Sequence, residues 1–97
     1  MAQRVVWSPI AADNFEKAVE HIAVNSRNYA ALFARKILEM TKKLEDFPEL
    51  GRIVPEYSNA VLRELFHGNY RIVYRIKNDL IEIVALAHCS QLRRTYS

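Results

Sequence analysis

The stretch GNYRIVYRI, residues 68–76, determines which fold this chain can adopt. After a turn at its glycine, it continues as a β-prone run in which aromatic and apolar side chains alternate with arginines. Because successive strand residues project to opposite faces, one face carries Tyr70, Ile72, Tyr74 and Ile76, and the other carries Arg71, Val73 and Arg75. We expect the aromatic face to pack against the rest of the protein and the arginine face to be open to solvent.

Two further β-prone runs flank this strand, at residues 61–66 and 80–88. The connections between the runs, 67–69 and 77–79, are short and rich in Gly, Asn and Asp, which is typical of hairpin turns. The second half of the chain is therefore predicted to form a three-stranded antiparallel meander.

The first half begins with a short β-prone run at residues 4–7 and continues into two helices. Ser8 and Pro9 supply an N-cap hydroxyl and a proline at the first helical position, and Ser26 can cap the second helix, which Pro48 should end. Apolar residues recur at helical spacing in both, at Phe15, Ala18, Val19 and Ile22 and at Phe33, Ile37, Met40, Leu44 and Phe47. Only a few residues separate the helices, so they should form an antiparallel hairpin.

These elements predict an α+β fold of order β-α-α-β-β-β, in which the helical hairpin packs on one face of an antiparallel sheet. Residues 48–59 contain two prolines and a glycine and are predicted to be an ordered loop rather than a domain boundary, so residues 1–97 form a single domain. Trp7 should be partly buried. The predicted core consists of Phe15, Ile22, Phe33, Ile37, Leu44, Ile72, Tyr74 and Ile83.

Composition is that of an ordinary folded domain: the 97 residues are 51% hydrophobic and 26% charged, with a net charge of +3. No apolar run reaches the length of a membrane span, and the N-terminus does not resemble a signal peptide. The single cysteine, Cys89, can form no disulfide within the chain, which agrees with a reducing compartment. We therefore expect a cytoplasmic protein without a membrane partner.

A metal or cofactor site is not expected. His21, His67 and His88 are far apart in the sequence, and Cys89 has no second cysteine at ligand spacing. The two glycines, Gly51 and Gly68, both lie in predicted turns, so there is no glycine-rich nucleotide-binding loop.

Arginines are concentrated in the second half of the chain, where few acidic residues accompany them. Such a bias suits a polyanion, a nucleotide phosphate or an acidic protein segment. Alternatively, the basic surface serves only solubility, or Arg71 and Arg75 pair across strands with Glu82 or Glu64. The candidate residues for binding a partner or nucleic acid are Arg63, Arg71, Arg75, Arg93 and Arg94.

A metal-free ribonuclease could also be built from these residues. Cleavage of RNA by its own 2′-hydroxyl requires a base, a positive charge for the phosphorane and an acid for the leaving oxygen. Arg71 can supply the charge, and His88 or Tyr96 the proton transfers. The same arginines can equally bind an acidic partner, and their spacing does not decide between these functions.

Several phrases resemble the RelE/ParE superfamily of bacterial toxins, and together they cover most of the chain. These phrases are FPELGR at 47–52, LREL at 62–65, GNYRIVYRI at 68–76, IEIV at 81–84 and LAH at 86–88. The predicted order of elements is also the order of that family. The resemblance implies a toxin held inactive by a cognate antitoxin, whose C-terminal segment wraps the helices and the sheet. Homodimerisation through the same surface is an alternative when the antitoxin is absent.

The family has two branches, of which RelE-like toxins cut mRNA in the ribosomal A site and ParE-like toxins poison DNA gyrase. Arg71 matches an arginine of the RelE-like enzymes, and Tyr96 lies close to their C-terminal catalytic tyrosine. However, Leu62 and Glu64 stand where those enzymes often carry lysines, and Ser90 and Gln91 stand where they carry an arginine. The LREL phrase and the long helices favour a ParE-like gyrase poison, with the ribonuclease, and with it catalytic roles for Arg71, His88 and Tyr96, as the alternative.

Overall fold

The computed structural model describes residues 3–90, which form two helices and five strands. In chain order the elements are β1 (Arg4–Trp7), α1 (Pro9–Ala23), α2 (Arg27–Lys43), β2 (Arg52–Ile53), β3 (Leu62–His67), β4 (Tyr70–Ile76) and β5 (Leu80–His88). The predicted order is confirmed, with one addition. The short strand β2 lies within the segment predicted to be a loop, because Arg52 and Ile53 pair with β3.

The strands form one sheet in the order β1-β5-β4-β3-β2. Strands β3, β4 and β5 form the predicted antiparallel meander, but β1 lies parallel to β5. The sheet is therefore mixed rather than wholly antiparallel. Parallel pairing requires a long crossover connection between neighbouring strands. The helical hairpin begins that crossover, and strands β2, β3 and β4 complete it before the chain returns beside β1.

Serine hydroxyls begin both helices, as predicted. Ser8 Oγ accepts a hydrogen bond from the Ala11 backbone N–H at 3.0 Å, and Ser26 Oγ accepts one from the Tyr29 N–H at 3.1 Å. The second helix ends at Lys43 instead of reaching Pro48, and Phe47, predicted on its apolar stripe, is 62% exposed. Within residues 3–90, neither helix is both long and apolar enough to span a membrane.

The main core lies between the helical hairpin and the sheet, which confirms the predicted position of the aromatic face of β4. Ile72 and Tyr74 are fully buried there. Of the other predicted core residues, four are buried and two are partly buried against the cluster, as is Trp7. The four are Phe33, Ile37, Leu44 and Ile83, and the two are Phe15 and Ile22.

A second, smaller core covers part of the opposite face of the sheet, which the sequence predicted to be open. Val54, from the segment after β2, packs there with Leu62, Val73 and Ala85, all of them buried. Tyr57 and Val84 pack against this cluster. The prediction of an open face is therefore wrong, because the proline-rich segment after α2 folds back over the middle of the sheet.

Candidate functional site

Arg71, on β4, is the candidate residue whose surroundings differ most from the prediction. It is only 3% exposed, and its register neighbours are Phe66 on β3 and Ala87 on β5. Its Nε and Nη2 atoms are buried and have no hydrogen-bond partner among the described residues. Because burying a charge without a partner is costly, this guanidinium is suited to receive an anionic group.

Arg75 lies on the same face of β4, but its guanidinium forms an ion pair with Glu82. Its Nη1 atom is 3.5 Å from Glu82 Oε1, which also lies 3.2 Å from the ammonium group of Lys77. Arg75 and Glu82 are direct neighbours across strands β4 and β5. The cross-strand pair considered from the sequence therefore forms at Arg75. Arg71 has Ala87 opposite it on β5 instead.

Arg63 points to the other face of the sheet and binds the loop that follows α2. Its Nε donates to the Ala60 carbonyl at 2.9 Å, and its Nη1 donates to the Gly51 carbonyl at 3.0 Å. This arginine was a candidate for binding a partner. Its hydrogen bonds show that it also holds the fold together at the edge of the sheet.

The Tyr74 hydroxyl fixes the same loop from inside the core. It accepts a hydrogen bond from the Gly51 N–H at 2.8 Å and donates one to the Pro48 carbonyl at 2.7 Å. Burial raises the pKa of Tyr74 above its ordinary value, an effect that Glu49 reinforces and that the Gly51 hydrogen bond and Arg63 oppose. The neutral phenol is therefore the favoured form in this site.

The ion pair between the exposed Arg52 and the buried Glu64 was not predicted from the sequence. The Glu64 side chain is fully buried, and its Oε2 accepts hydrogen bonds from Nε and Nη2 of Arg52, both at 2.8 Å. The Arg52 guanidinium also lies over the Phe66 ring, 5.0 Å from its centroid. The available signal was the alternation in β3, which places Glu64 on the same face as the apolar residues Leu62 and Phe66. In the structure the segment after β2 covers part of that face.

His88 lies on the opposite face of the sheet from Arg71. Its register neighbour on β4 is Tyr70, whose ring centroid is 5.2 Å away and which also contacts Phe33 of α2. Directly opposed residues of antiparallel strands share a face, and Arg71 is opposed by Ala87. The two described members of the candidate ribonuclease set are thus not brought together. The third, Tyr96, lies outside the described residues, as do Arg93 and Arg94.

His88 instead shares a cavity with the other two histidines. His21 at the end of α1, His67 at the end of β3 and His88 all line a cavity of about 280 Å³. Their separation in sequence was therefore a poor guide to their separation in space. Even so, no group of three or more His, Cys, Asp or Glu side chains within residues 3–90 is arranged to hold a metal ion.

Comparisons with known proteins agree with this architecture. Residues 5–93 match the family model for the ParE toxin of the parDE type II toxin-antitoxin system. A chain of the chromosomal ParDE system from P. aeruginosa is 20% identical, with a TM-score of 0.74 over 90% of this chain and 96% of that one. A chain of the RelBE2 toxin-antitoxin complex from Mycobacterium tuberculosis is 18% identical, with a TM-score of 0.65 over 91% and 99%. No curated protein matches the sequence.

Proposed function

This chain belongs to the ParE toxin family of type II toxin-antitoxin systems, and from that membership we propose that it inhibits growth in the cytoplasm by poisoning DNA gyrase. In this proposal a cognate antitoxin neutralises it. The poison acts by protein contact and not by cleaving a nucleic acid.

The observation that supports gyrase poisoning over RNA cleavage is the separation of Arg71 from His88 by the sheet. A general acid or base must lie within hydrogen-bond reach of the proton that it transfers, and a charge-stabilising group must contact the same phosphate. Arg71 and His88 lie on opposite faces, so they cannot both contact one scissile phosphate without rebuilding the strand.

The charges around Arg71 also favour a protein target. Two carboxylates, Glu64 and Glu82, lie on the same face, where Arg52 and Arg75 bind them. A surface that captures the RNA backbone needs cations that are free to replace its counterions. Here much of the positive charge on the sheet is already matched within the protein.

One observation favours the alternative, a RelE-like ribosome-dependent ribonuclease. The unpartnered Nε and Nη2 atoms of Arg71 are suited to bind a phosphate group, as a phosphorane-stabilising arginine would. In that case Tyr96 supplies the proton transfer. The experiment that separates the two functions therefore depends on Arg71 and Tyr96.

The proposed antitoxin is supported by the similar solved structures, which are toxin-antitoxin systems, and by the surface of α2. Tyr29 is 54% exposed and Leu32 is 58% exposed on this helix. Both line a cleft between α2 and His67, together with the basic residues Arg35 and Lys36. Exposed apolar residues beside cations suit an amphipathic or acidic partner helix laid along the cleft.

The test is to induce the chain in bacteria and to follow plasmid supercoiling, DNA breakage and amino-acid incorporation over the same time course. We expect DNA damage before translation falls, and we expect Tyr96→Phe to leave toxicity nearly intact. Arg71→Lys, which keeps the charge, should also remain toxic, because a poison that acts by protein contact needs no guanidinium to stabilise a phosphorane.

A ribonuclease would give a different pattern. Translation would fall first, mRNA would be cut within codons, and Tyr96→Phe would abolish both effects. Arg71→Ala would then lower the cleavage rate by on the order of 100-fold or more. That result would reject gyrase poisoning in favour of RNA cleavage.

A further inference from the structure

Arg71 differs from the other arginines on its face of the sheet, because its charge is not matched within the described part of the chain. Arg52 binds Glu64 and Arg75 binds Glu82, whereas Nε and Nη2 of Arg71 are buried and have no hydrogen-bond partner among the described residues. A buried charge without a partner costs free energy. The isolated toxin therefore carries a cost that a bound anion would remove.

The two unpartnered atoms of Arg71 define the group that fits. The N–H bonds of Nε and Nη2 lie along one edge of a guanidinium, and this edge matches the geometry of a carboxylate. Arg52 uses the same edge in this way, because its Nε and Nη2 both lie 2.8 Å from Oε2 of Glu64. The edge of Arg71 offers the same donors, without an acceptor in the described part of the chain.

The neighbours of Arg71 on this face favour a carboxylate over a nucleic acid. Phe66 lies directly opposite on β3, Ala87 lies directly opposite on β5, and Val73 is the next residue of β4 on the same face. A nucleic-acid backbone carries a phosphate at every nucleotide, and its binding sites therefore combine several free cations. A single guanidinium among apolar side chains instead matches one carboxylate within a partly apolar segment.

The strand residues of this face do not leave a carboxylate for Arg71, since Glu64 and Glu82 are both ion-paired. Residues 91–97, which follow the described part of the chain, contain no Asp or Glu. We propose that an acidic side chain of the antitoxin binds the Nε and Nη2 edge of Arg71 and that an apolar residue beside it contacts Phe66.

This contact rests on the proposed function, which supplies the antitoxin, and it lies on the face of the sheet that the helices do not cover. Both nitrogens of Arg71 are buried, so the antitoxin must displace the atoms over them. The row of Arg71 reaches solvent at Phe66, which is 43% exposed, and movement of that ring gives access. Partner binding then removes the cost of the unmatched charge and replaces the exposed part of the ring surface with an apolar contact.

The first test uses two synthetic peptides, acetyl-Leu-Glu-Leu-amide and acetyl-Leu-Gln-Leu-amide. Each is titrated against the full chain at pH 6 while NMR follows the Nε–H signal of Arg71. We expect the glutamate peptide to shift this signal saturably and the glutamine peptide to bind at least about tenfold more weakly, because the charge-assisted pair is lost. Arg71→Lys, which keeps the charge but not the edge, should weaken binding of the glutamate peptide to a similar extent, measured on the backbone signals.

Dimethyl phosphate, which has the single charge of a nucleic-acid linkage, is the third probe. Tighter binding of dimethyl phosphate than of the glutamate peptide would overturn the proposal in favour of a nucleic-acid ligand. Absence of a saturable shift with the glutamate peptide would overturn it as well. Both measurements are made without gyrase, so their failure is distinct from the failure of gyrase poisoning, which the supercoiling time course detects.

The second test measures the cost of the unmatched charge in the free toxin. Arg71→Met replaces the guanidinium with an apolar side chain, so the urea midpoint of this variant should lie above that of the wild type. Arg4→Met is the matched control, because Arg4 is exposed on β1 and its loss should leave the midpoint unchanged. An unchanged or lower midpoint for Arg71→Met would show that the free toxin already satisfies this guanidinium and would overturn the proposal.

Discussion

The hydroxyl of Tyr74 shows how much one buried atom contributes to this fold. A phenol in the centre of a core requires partners for its oxygen, because an unmatched polar group there would cost free energy. Its partners are the Gly51 N–H and the Pro48 carbonyl, both from the loop after α2. Packing is tight here, since a Cβ on Gly51 would lie 2.6 Å from the Glu64 carbonyl oxygen. The core residue therefore fixes the path of the loop.

Replacing Tyr74 with Phe should lower the free energy of unfolding by about 1 to 3 kcal/mol, because the Gly51 N–H and the Pro48 carbonyl lose a buried partner. Urea denaturation at pH 7 measures the loss. Tyr29→Phe is the matched control, because Tyr29 is 54% exposed and its change should stay within about 0.5 kcal/mol. Equal effects of the two variants would contradict this role of the hydroxyl.

The stability difference between the wild type and Tyr74→Phe should also depend on pH. Burial raises the pKa of Tyr74 above its ordinary value of 10.0, so the unfolded tyrosine releases its proton at a lower pH than the folded one. The stabilisation from the neutral phenol is complete below pH 10.0 and is lost as the pH rises through the folded-state pKa. The stability difference between the wild type and Tyr74→Phe should therefore shrink above pH 10.0.

At the scale of elements, β2 is only two residues long, and an ion pair helps to hold it. Arg52 on β2 lies directly opposite Glu64 on β3, and two of its nitrogens bind one oxygen of that carboxylate. The Glu64 side chain is fully buried, whereas that of Arg52 is 57% exposed. A buried carboxylate depends on its cation far more than an exposed one does.

Arg52→Ala should destabilise the protein by about 2 kcal/mol, because the buried Glu64 carboxylate loses the two charge-assisted hydrogen bonds from Arg52. Arg75→Ala is the matched comparison from the neighbouring strand. Glu82 is 26% exposed and keeps Lys77 at 3.2 Å, so that variant should cost less than about 1 kcal/mol. Chemical denaturation of both variants checks the order, and a larger loss for Arg75→Ala would contradict it.

The elements that local signals specify were predictable from the sequence. Ser8, Pro9 and Ser26 begin helices through contacts with residues only a few positions away, and the alternation in GNYRIVYRI fixes which face of β4 meets the helices. The predictions that failed concern features that depend on contacts between residues distant in the sequence. The burial of Arg71 and the end of α2 at Lys43 depend on tertiary packing and on the path of the segment after α2, which no local pattern specifies.

The candidate site was also predictable only in part. The residue types suggested arginine and histidine chemistry, but the faces on which they lie follow from the register of β4 and β5. That register shifts between Val73 and Tyr74, where β5 carries one residue more than β4. A bulge of this kind changes which side chains are neighbours beyond it, and its position follows from packing on both faces. For that reason the shared cavity of the histidines could not be predicted from their spacing.

At the scale of the whole molecule, different elements cover the two faces of the sheet. The helices cover one face, and the segment after β2 covers part of the other, whereas α2 carries exposed apolar side chains on its outer surface. Tyr29 and Leu32 stand at the cleft that Arg35 and Lys36 also line. A partner that neutralises the toxin through an amphipathic helix gains the most from this surface, because apolar burial and charge attraction act together there.

Leu32→Glu should therefore weaken neutralisation by the proposed cognate antitoxin, because it places a charge where the proposed partner helix buries apolar surface. Leu38→Glu is the matched control: Leu38 is 49% exposed on the same helix, against 58% for Leu32, but it does not line the cleft. Both side chains are half-exposed, so neither substitution should unfold the protein. Isothermal titration of each purified variant should show at least about tenfold weaker binding for Leu32→Glu alone. Equal affinities for the two variants would show that the antitoxin binds another surface of the toxin.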